Sequence, residues 1–267
     1  MMYFSASYKN VKLNQDYANY KTIDKLKKII ICDGIGSFKD SGIVANKIGN
    51  YLLQDIFPSI EDIPKDSTSL ISHDEIKVGG TTILLAQTSN NKSIDIEYIG
   101  NGGVINIAGD FANTPYSNYP YRYSELLLPH VDAKGALSKH LSHNSGPDQL
   151  IPSKLTLYPN HPNGNIILIY SDGINSLENN LILRDKENRY WRNESPSVQY
   201  ILNLLDTFLI ELCKEEPQLD TIQDKLSNFN TKVLEDLNTD GYLEDDASLG
   251  IIITDAVFKY YQSILNA

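Results

Sequence analysis

Four stretches of the chain set a carboxylate at the end of an apolar run. The run 27–32 (KKIIIC) stops at Asp33-Gly34, and the run 165–170 (NIILIY) stops at Ser171-Asp172-Gly173. Asn14-Gln15-Asp16 opens a third run. Asp245-Asp246 precedes a fourth, 249–254, with Ala247-Ser248 between. Short continuous apolar runs rich in β-branched residues predict buried strands. Strand ends of one sheet lie along a common edge, so these carboxylates can converge. Converging carboxylates shielded from water do not all stay ionised unless cations neutralise them. Hard divalent cations, Mg²⁺ or Mn²⁺, suit carboxylate, carbonyl and water oxygens. Two such ions about 3.5–4 Å apart bind a phosphate and activate a bridging water. A single Asp-Gly after a strand is an ordinary turn; the four sites together carry the metal reading.

Composition narrows the field. The chain has 267 residues, 41% apolar and 21% charged, which excludes a disordered, collagenous or fibrous protein. Lys and Arg number 23 against 34 Asp and Glu, so the net charge is −11 and no basic footprint for nucleic acid exists. Cys32 and Cys213 fit neither a disulfide framework nor a cysteine zinc site. A reducing, cytoplasmic location is therefore expected. No apolar run approaches the roughly 20 residues a spanning helix needs, so no membrane is expected. The N-terminus lacks the pattern of a signal peptide. His140 and His143 could share a helix face, but no acidic or Cys partner stands near them in sequence, so they are read as non-ligands.

The elements that must position the carboxylates follow from the same patterning. Strands are predicted at 2–8, 16–20, 27–32, 81–86, 94–99, 104–108, 165–170 and 249–254. A helix is predicted from Asp40 or Ser41 to Pro58, with Ile43, Val44, Ile48, Tyr51, Leu52 and Ile56 at helical spacing. Three more are predicted at 196–215 (capped by Ser195), 219–237 and 256–265. The stretch 109–163 reads as irregular, with one short helix at 136–141; long irregular stretches are often functional. Thr81 and Thr82 read as strand formers only, and Gly36 as the residue that lets the chain turn near the site. With no repeat and no linker, a single α+β domain over 1–267 is expected.

The order of short motifs resembles the metal-dependent protein phosphatase family, type 2C, in its bacterial form. Those motifs are Asn14-Gln15-Asp16, then Asp33-Gly34-Ile35-Gly36 before a helix, Gly79-Gly80-Thr81-Thr82 and Ile99-Gly100-Asn101-Gly102. Ser171-Asp172-Gly173 and Asp245-Asp246-Ala247-Ser248 complete the series, which runs from Asn14 to Ile253. The resemblance implies a four-layer α/β/β/α sandwich, two antiparallel β-sheets flanked by helices. It implies removal of phosphate from phosphoserine and phosphothreonine in proteins, opposite a partner kinase, with two Mn²⁺ or Mg²⁺ ions. A third ion is left open, with Asp110 and Asp132 as the residues in range. By position Asp33 resembles the carboxylate bridging both ions, and the carbonyl of Gly34 would add a ligand. Asp172 and Asp245 resemble the ligands of one ion; Asp16 would act through metal-bound water on the other side. Asp246 stands where the family often has Asn and ranks behind Asp245.

The departures bear on mechanism. Many members hold the substrate phosphate with an Arg five residues before the first acidic ligand; here that residue is Val11, and Lys12 beside it is the phosphate-binding candidate. Lys offers a point charge and no bidentate fork. The His that follows Asp-Gly in eukaryotic members is Ile35, and the usual Gly-Asp-Ser is Gly100-Asn101-Gly102. An alternative reading is a weak or inactive pseudophosphatase that binds phosphoprotein as a regulatory module; another is a hydrolase of small phosphate esters. Asp16, Asp33, Asp172 and Asp245 favour an enzyme, since a binding module has no need to hold four like charges together. No Cys or Ser stands beside a His in the manner of an activated nucleophile, so metal-bound hydroxide is the expected attacking group.

Overall fold

The structure, a computed structural model, describes residues 1–54, 58–63, 78–109, 111, 123–142, 145, 150–174, 182–184, 190–192, 196–215 and 219–266. In chain order the strands are β1 (Met2–Lys9), β2 (Tyr17–Ile23), β3 (Leu26–Cys32), β4 (Gly80–Thr81), β5 (Ile83–Thr88), β6 (Ile94–Ile99) and β7 (Gly103–Ala108). They continue as β8 (Tyr123–Glu125), β9 (Leu141–Ser142), β10 (Ser153–Leu157), β11 (Asn165–Tyr170), β12 (Ile182–Arg184), β13 (Tyr190–Arg192) and β14 (Ala247–Thr254). The α-helices are α1 (Ser41–Gln54), α2 (Pro196–Lys214), α3 (Leu219–Thr239) and α4 (Asp255–Leu265).

Two five-stranded sheets result, ordered β1-β14-β11-β7-β8 and β10-β6-β5-β3-β2, with antiparallel pairing throughout. Alternation along each strand assigns the layers. On β11, Ile166, Leu168 and Tyr170 pack with Leu202, Leu209, Leu226 and Leu237 of α2 and α3. Ile167 and Ile169 turn the other way and meet Ile29, Ile31, Leu84 and Ile96 of the second sheet. On β3, Ile30 and Cys32 face away from that contact and pack on Val44, Ile48 and Leu52 of α1. The order of layers is thus α1, second sheet, first sheet, then α2 to α4, which is the expected α/β/β/α sandwich. Every residue of β11 and β14 is buried, which explains the apolar runs 166–169 and 249–253 within them. Each such Ile or Leu contributes about 1.5–3 kcal/mol by leaving water. Lys28 interrupts the pattern on β3; its Nζ donates to the Leu52 carbonyl near the end of α1 (3.1 Å), a site that favours a cation.

Several expectations need correction. The segment 136–141 is not a helix. Asp132 Oδ1 accepts the N–H groups of Lys134 (2.8 Å) and Ala136 (2.9 Å), Gly135 sits at φ +82°, and Val131 bridges to Leu137. A side-chain-capped turn has displaced the helix, and Leu141–Ser142 pairs with β4 instead. On α1 the buried stripe is Val44, Ala45, Ile48, Leu52 and Leu53, whereas Ile43 is exposed. Ile56 and Ser195 lie outside the described residues. The strand expected at 81–86 breaks at Thr82 into β4 and β5.

Candidate active site

Asp33 emerges directly from β3, and its backbone is held from the side. Its carbonyl accepts the Thr81 hydroxyl (3.0 Å) and the Thr82 N–H (2.8 Å), and the Ile35 N–H donates to Gly80 (3.0 Å). The two threonines are buried positioning residues, and reading them as strand formers alone was incomplete. Asp16 stands just before β2. Its Oδ2 accepts the hydroxyls of Ser248 (2.8 Å) and Ser171 (3.1 Å), and Ser171 Oγ in turn accepts the Ser248 N–H (2.8 Å). Asp172 follows β11, where the side-chain amide of Asn101 donates to its Oδ2 (2.5 Å).

These elements bring three of the carboxyl groups together. Asp33 stands close enough to Asp16 and Asp172 for the charge of each to act on it. Burial above all, then the charges of Asp16 and Asp172, push Asp33 well above the usual carboxylate range. Burial likewise raises Asp16 to about 7, against the opposing hydrogen bonds from Ser248 and Ser171. Among the described residues none of the three pairs with a Lys or Arg. Asp16 Oδ1 and Asn101 Oδ1 are buried without a hydrogen-bond partner. Crowded carboxylates with an orphaned oxygen fit a hard divalent cation, although among the described residues no three acidic, His or Cys side chains stand in the spacing of a formed metal site.

The glycines that follow two of these aspartates explain the convergence. A Cβ on Gly34 would stand 2.6 Å from Gln15 Cβ and 2.8 Å from the Gln15 carbonyl oxygen. One on Gly173 would stand 1.9 Å from the Asp246 carbonyl oxygen. Neither glycine has a positive φ. The Asp-Gly pairs are therefore contacts, not turn chemistry: the turn after β3 lies on the segment carrying Asp16, and the turn after β11 lies on Asp246 and Ala247. Gly36 has no such need; its φ is not positive and its nearest neighbour is a Leu13 methyl at 3.4 Å. Gly173→Ala should cost about 2–3 kcal/mol by overpacking, read by urea unfolding. A loss below about 0.5 kcal/mol would show that the two turns do not press together.

Asp246 has a role the sequence did not suggest. Its Oδ1 accepts the N–H groups of Val11 (2.7 Å), Lys12 (2.8 Å) and Leu13 (3.3 Å), and its Oδ2 that of Gln15 (2.7 Å). Burial alone would raise this carboxyl, but the four N–H groups hold it below the ordinary value. It anchors the loop that carries Asp16. Asp245 is exposed on the adjoining turn, and its Oδ1 accepts the N–H of Asp246 (2.9 Å).

No protein-family model and no curated protein matches the sequence. Solved structures do. The serine/threonine phosphatase Stp1 from Staphylococcus aureus superposes with a TM-score of 0.59 at 14% identity, over 96% of each chain. The S. agalactiae serine/threonine phosphatase gives 0.56 at 14% identity, over 94% of this chain and 99% of that one. The catalytic domain of the serine/threonine phosphatase PstP, in complex with two manganese ions, gives 0.55 at 10% identity, over 95% and 99%. The chain has the fold of the bacterial serine/threonine phosphatases.

Within this phosphatase fold the remaining candidates fall into place. Lys12 is exposed on a bend, since β1 ends at Lys9 and Asn14 takes φ +58°. The chain is thus no longer extended there, so strand alternation does not force Lys12 away from the face of residue 11. Asp132 caps its own turn, and Asp110 and His143 lie outside the described residues. His140 sits edge-on to Phe38, and burial lowers its pKa. Cys32 is buried in the core beside α1; burial, then the charges of Asp16 and Asp33, raise its thiol far above the range of a nucleophile. His130 accepts the Gly100 N–H at Nδ1 (2.9 Å), which places its ring proton on Nε2, facing Ser153 Oγ (2.8 Å). Such a tautomer cannot take a proton from Ser153, so this pair is no activated serine. Sequence reading missed the supports Thr81, Thr82, Ser171 and Ser248. Their shared signal is a hydroxyl residue within two positions of an acidic strand end or in the strand paired to it.

Proposed function

We propose that the chain is a single-domain, metal-dependent phosphatase of phosphoserine and phosphothreonine in proteins, acting in the cytoplasm. Two Mn²⁺ or Mg²⁺ ions would be held by Asp16, Asp33, the Gly34 carbonyl, Asp172 and Asp245. The observation that carries this reading is the crowding of Asp16 and Asp172 around Asp33, with Asp16 Oδ1 left unpartnered. The manganese in PstP and the shared fold support it. No helix among the described residues is long and apolar enough to cross a membrane.

When bound, the ions would supply charge for the phosphate and an activated water. The chain's own residues do the positioning. Asp33, close to both Asp16 and Asp172, would serve both ions. Ser171 and Ser248 occupy Asp16 Oδ2 and leave Oδ1 for the centre. Asn101 fixes Asp172, and the threonines fix the Asp33 backbone. Lys12 is the proposed phosphate contact, because Val11 offers no side-chain donor.

The alternative, a non-catalytic phosphoprotein-binding module, is favoured by Val11 and by the exposed Asp245. Hydrolysis of an aryl phosphate with and without Mn²⁺ separates the two: metal-dependent turnover supports the enzyme, and none at saturating Mn²⁺ supports the module. In the enzyme, Lys12→Ala should raise KM for the aryl phosphate about tenfold, the worth of one charge-assisted bond. An unchanged KM would remove Lys12 from the site.

A further inference from the structure

The loop carrying Asp16 has a second face. Behind it opens a cavity of about 450 Å³, walled by Asn14 and Gln15 of the loop and by Lys39, Gly42, Asn46 and Lys47 at the start of α1. No carboxylate lines it. Neither lysine makes an ion pair among the described residues. The nearest acid in sequence, Asp40, accepts the Val78 N–H (3.2 Å) and is not part of the wall. A chain of net charge −11 thus keeps a cationic recess one residue from its carboxylate cluster. Gln15 is only 7% exposed; its amide nitrogen donates to the Phe38 carbonyl (3.1 Å), while its Oε1 is buried with no partner. The wall therefore combines two cations with the exposed apolar side chains of Leu13 and Ile43. The cations suit carboxylate side chains, and the apolar side chains suit the carbon of a peptide, a pair of features that a peptide supplies and a free anion does not.

We infer that this cavity receives an acidic segment of the phosphoprotein substrate, Asp or Glu residues flanking the phosphoresidue at the carboxylate cluster. The inference rests on the proposed phosphatase function, so its test has one arm that needs no turnover. In that arm, anisotropy of a fluorescent, unphosphorylated Glu-rich peptide is measured against the wild type and Lys39→Gln/Lys47→Gln. Affinity should fall on the order of tenfold, as loss of two partly exposed charge pairs allows. In the turnover arm, the wild type should prefer a Glu-flanked phosphothreonine peptide over its Gln-flanked counterpart by a similar factor. The double variant should lose that preference and keep its kcat/KM for an aryl phosphate within about twofold. Equal peptide binding by wild type and variant, or a preference that survives the substitutions, would overturn the assignment. Displacement of the peptide by millimolar inorganic phosphate would also overturn it, in favour of a free anion. Absence of all hydrolysis would instead sink the enzyme reading, and the binding arm would still decide the cavity.

Discussion

Asp33→Asn should abolish turnover, by a factor on the order of 10³ or more, and yield a metal-free protein more stable than the wild type at pH 8. The first effect follows from position, because the charges of both Asp16 and Asp172 act on Asp33. Removing its charge would take away the group proposed to serve both ions, and several kcal/mol of charge stabilisation with it. The second effect follows from linkage. Burial and its neighbours raise Asp33 well above its ordinary value, and burial raises Asp16 from 3.8 to about 7. A carboxyl with a raised folded pKa binds its proton more tightly in the native state. For Asp16 that contribution is complete below about pH 4 and is lost as pH rises through about 7, by up to about 1.4 kcal/mol per pH unit, and Asp33 acts in the same direction. The neutral amide of the variant removes one such charge and eases the other two. In chelator, then, the wild type should lose stability between pH 5 and pH 8 and the variant much less. Mn²⁺ should reverse the wild-type trend, since metal displaces those protons, and should leave the variant almost unmoved. Thermal unfolding at the two pH values, with calorimetry of Mn²⁺ binding, tests both effects. Unchanged Mn²⁺ affinity in the variant, or a variant less stable than wild type at pH 8 in chelator, would remove Asp33 from the centre.

The strand-end carboxylates are legible in the sequence for a physical reason. The part of a strand buried on both faces is apolar unless a partner is supplied, as for Lys28, so the first residue beyond the run 29–32 is free to carry charge. Ile29 and Ile31 face the other sheet, Ile30 and Cys32 face α1, and Asp33 comes next. What holds these carboxylates is not legible. A Ser or Thr beside an acidic residue serves a turn, a strand or a hydrogen bond equally well, and only the fold shows that Ser171 and Ser248 meet on Asp16. That meeting depends on β14 lying between β1 and β11, a pairing that no local pattern announces. Asp-Gly misleads in the same way: glycine signals a turn, yet Gly34 and Gly173 are required by a neighbouring backbone that is distant in sequence. The helix expected at 136–141 fails because one side chain, Asp132, offers the backbone a better partner than the next helical turn would.

Adjacent aspartates with opposite duties make the sharpest test of this architecture. Asp246→Ala should cost about 2–4 kcal/mol of stability, and Asp245→Ala less than about 0.5 kcal/mol. Asp246 accepts four backbone N–H groups from residues 11–15 and so ties that loop to the start of β14. Alanine leaves all four without their acceptor. Water can reach those of exposed Lys12 and Leu13, so the cost stays well below four full desolvation penalties. Gln15 is buried, so its N–H bears most of the loss, and Asp16 follows it into the carboxylate cluster. Asp246→Asn should fall between, because it keeps an oxygen for the bonds made by Oδ1 but turns an amide N–H₂ towards the Gln15 N–H. The pH dependence runs opposite to that of Asp33. Asp246 has a folded pKa below its ordinary value, so its contribution is present above about pH 4 and is lost as pH falls through the folded value. The gap between wild type and Asp246→Ala should therefore close in acid. Asp245→Ala should instead leave urea unfolding of the metal-free protein nearly unchanged and weaken Mn²⁺ binding. Equal destabilisation by the two substitutions, or a stable Asp246→Ala protein with impaired Mn²⁺ binding, would exchange their roles and make Asp246 the ligand.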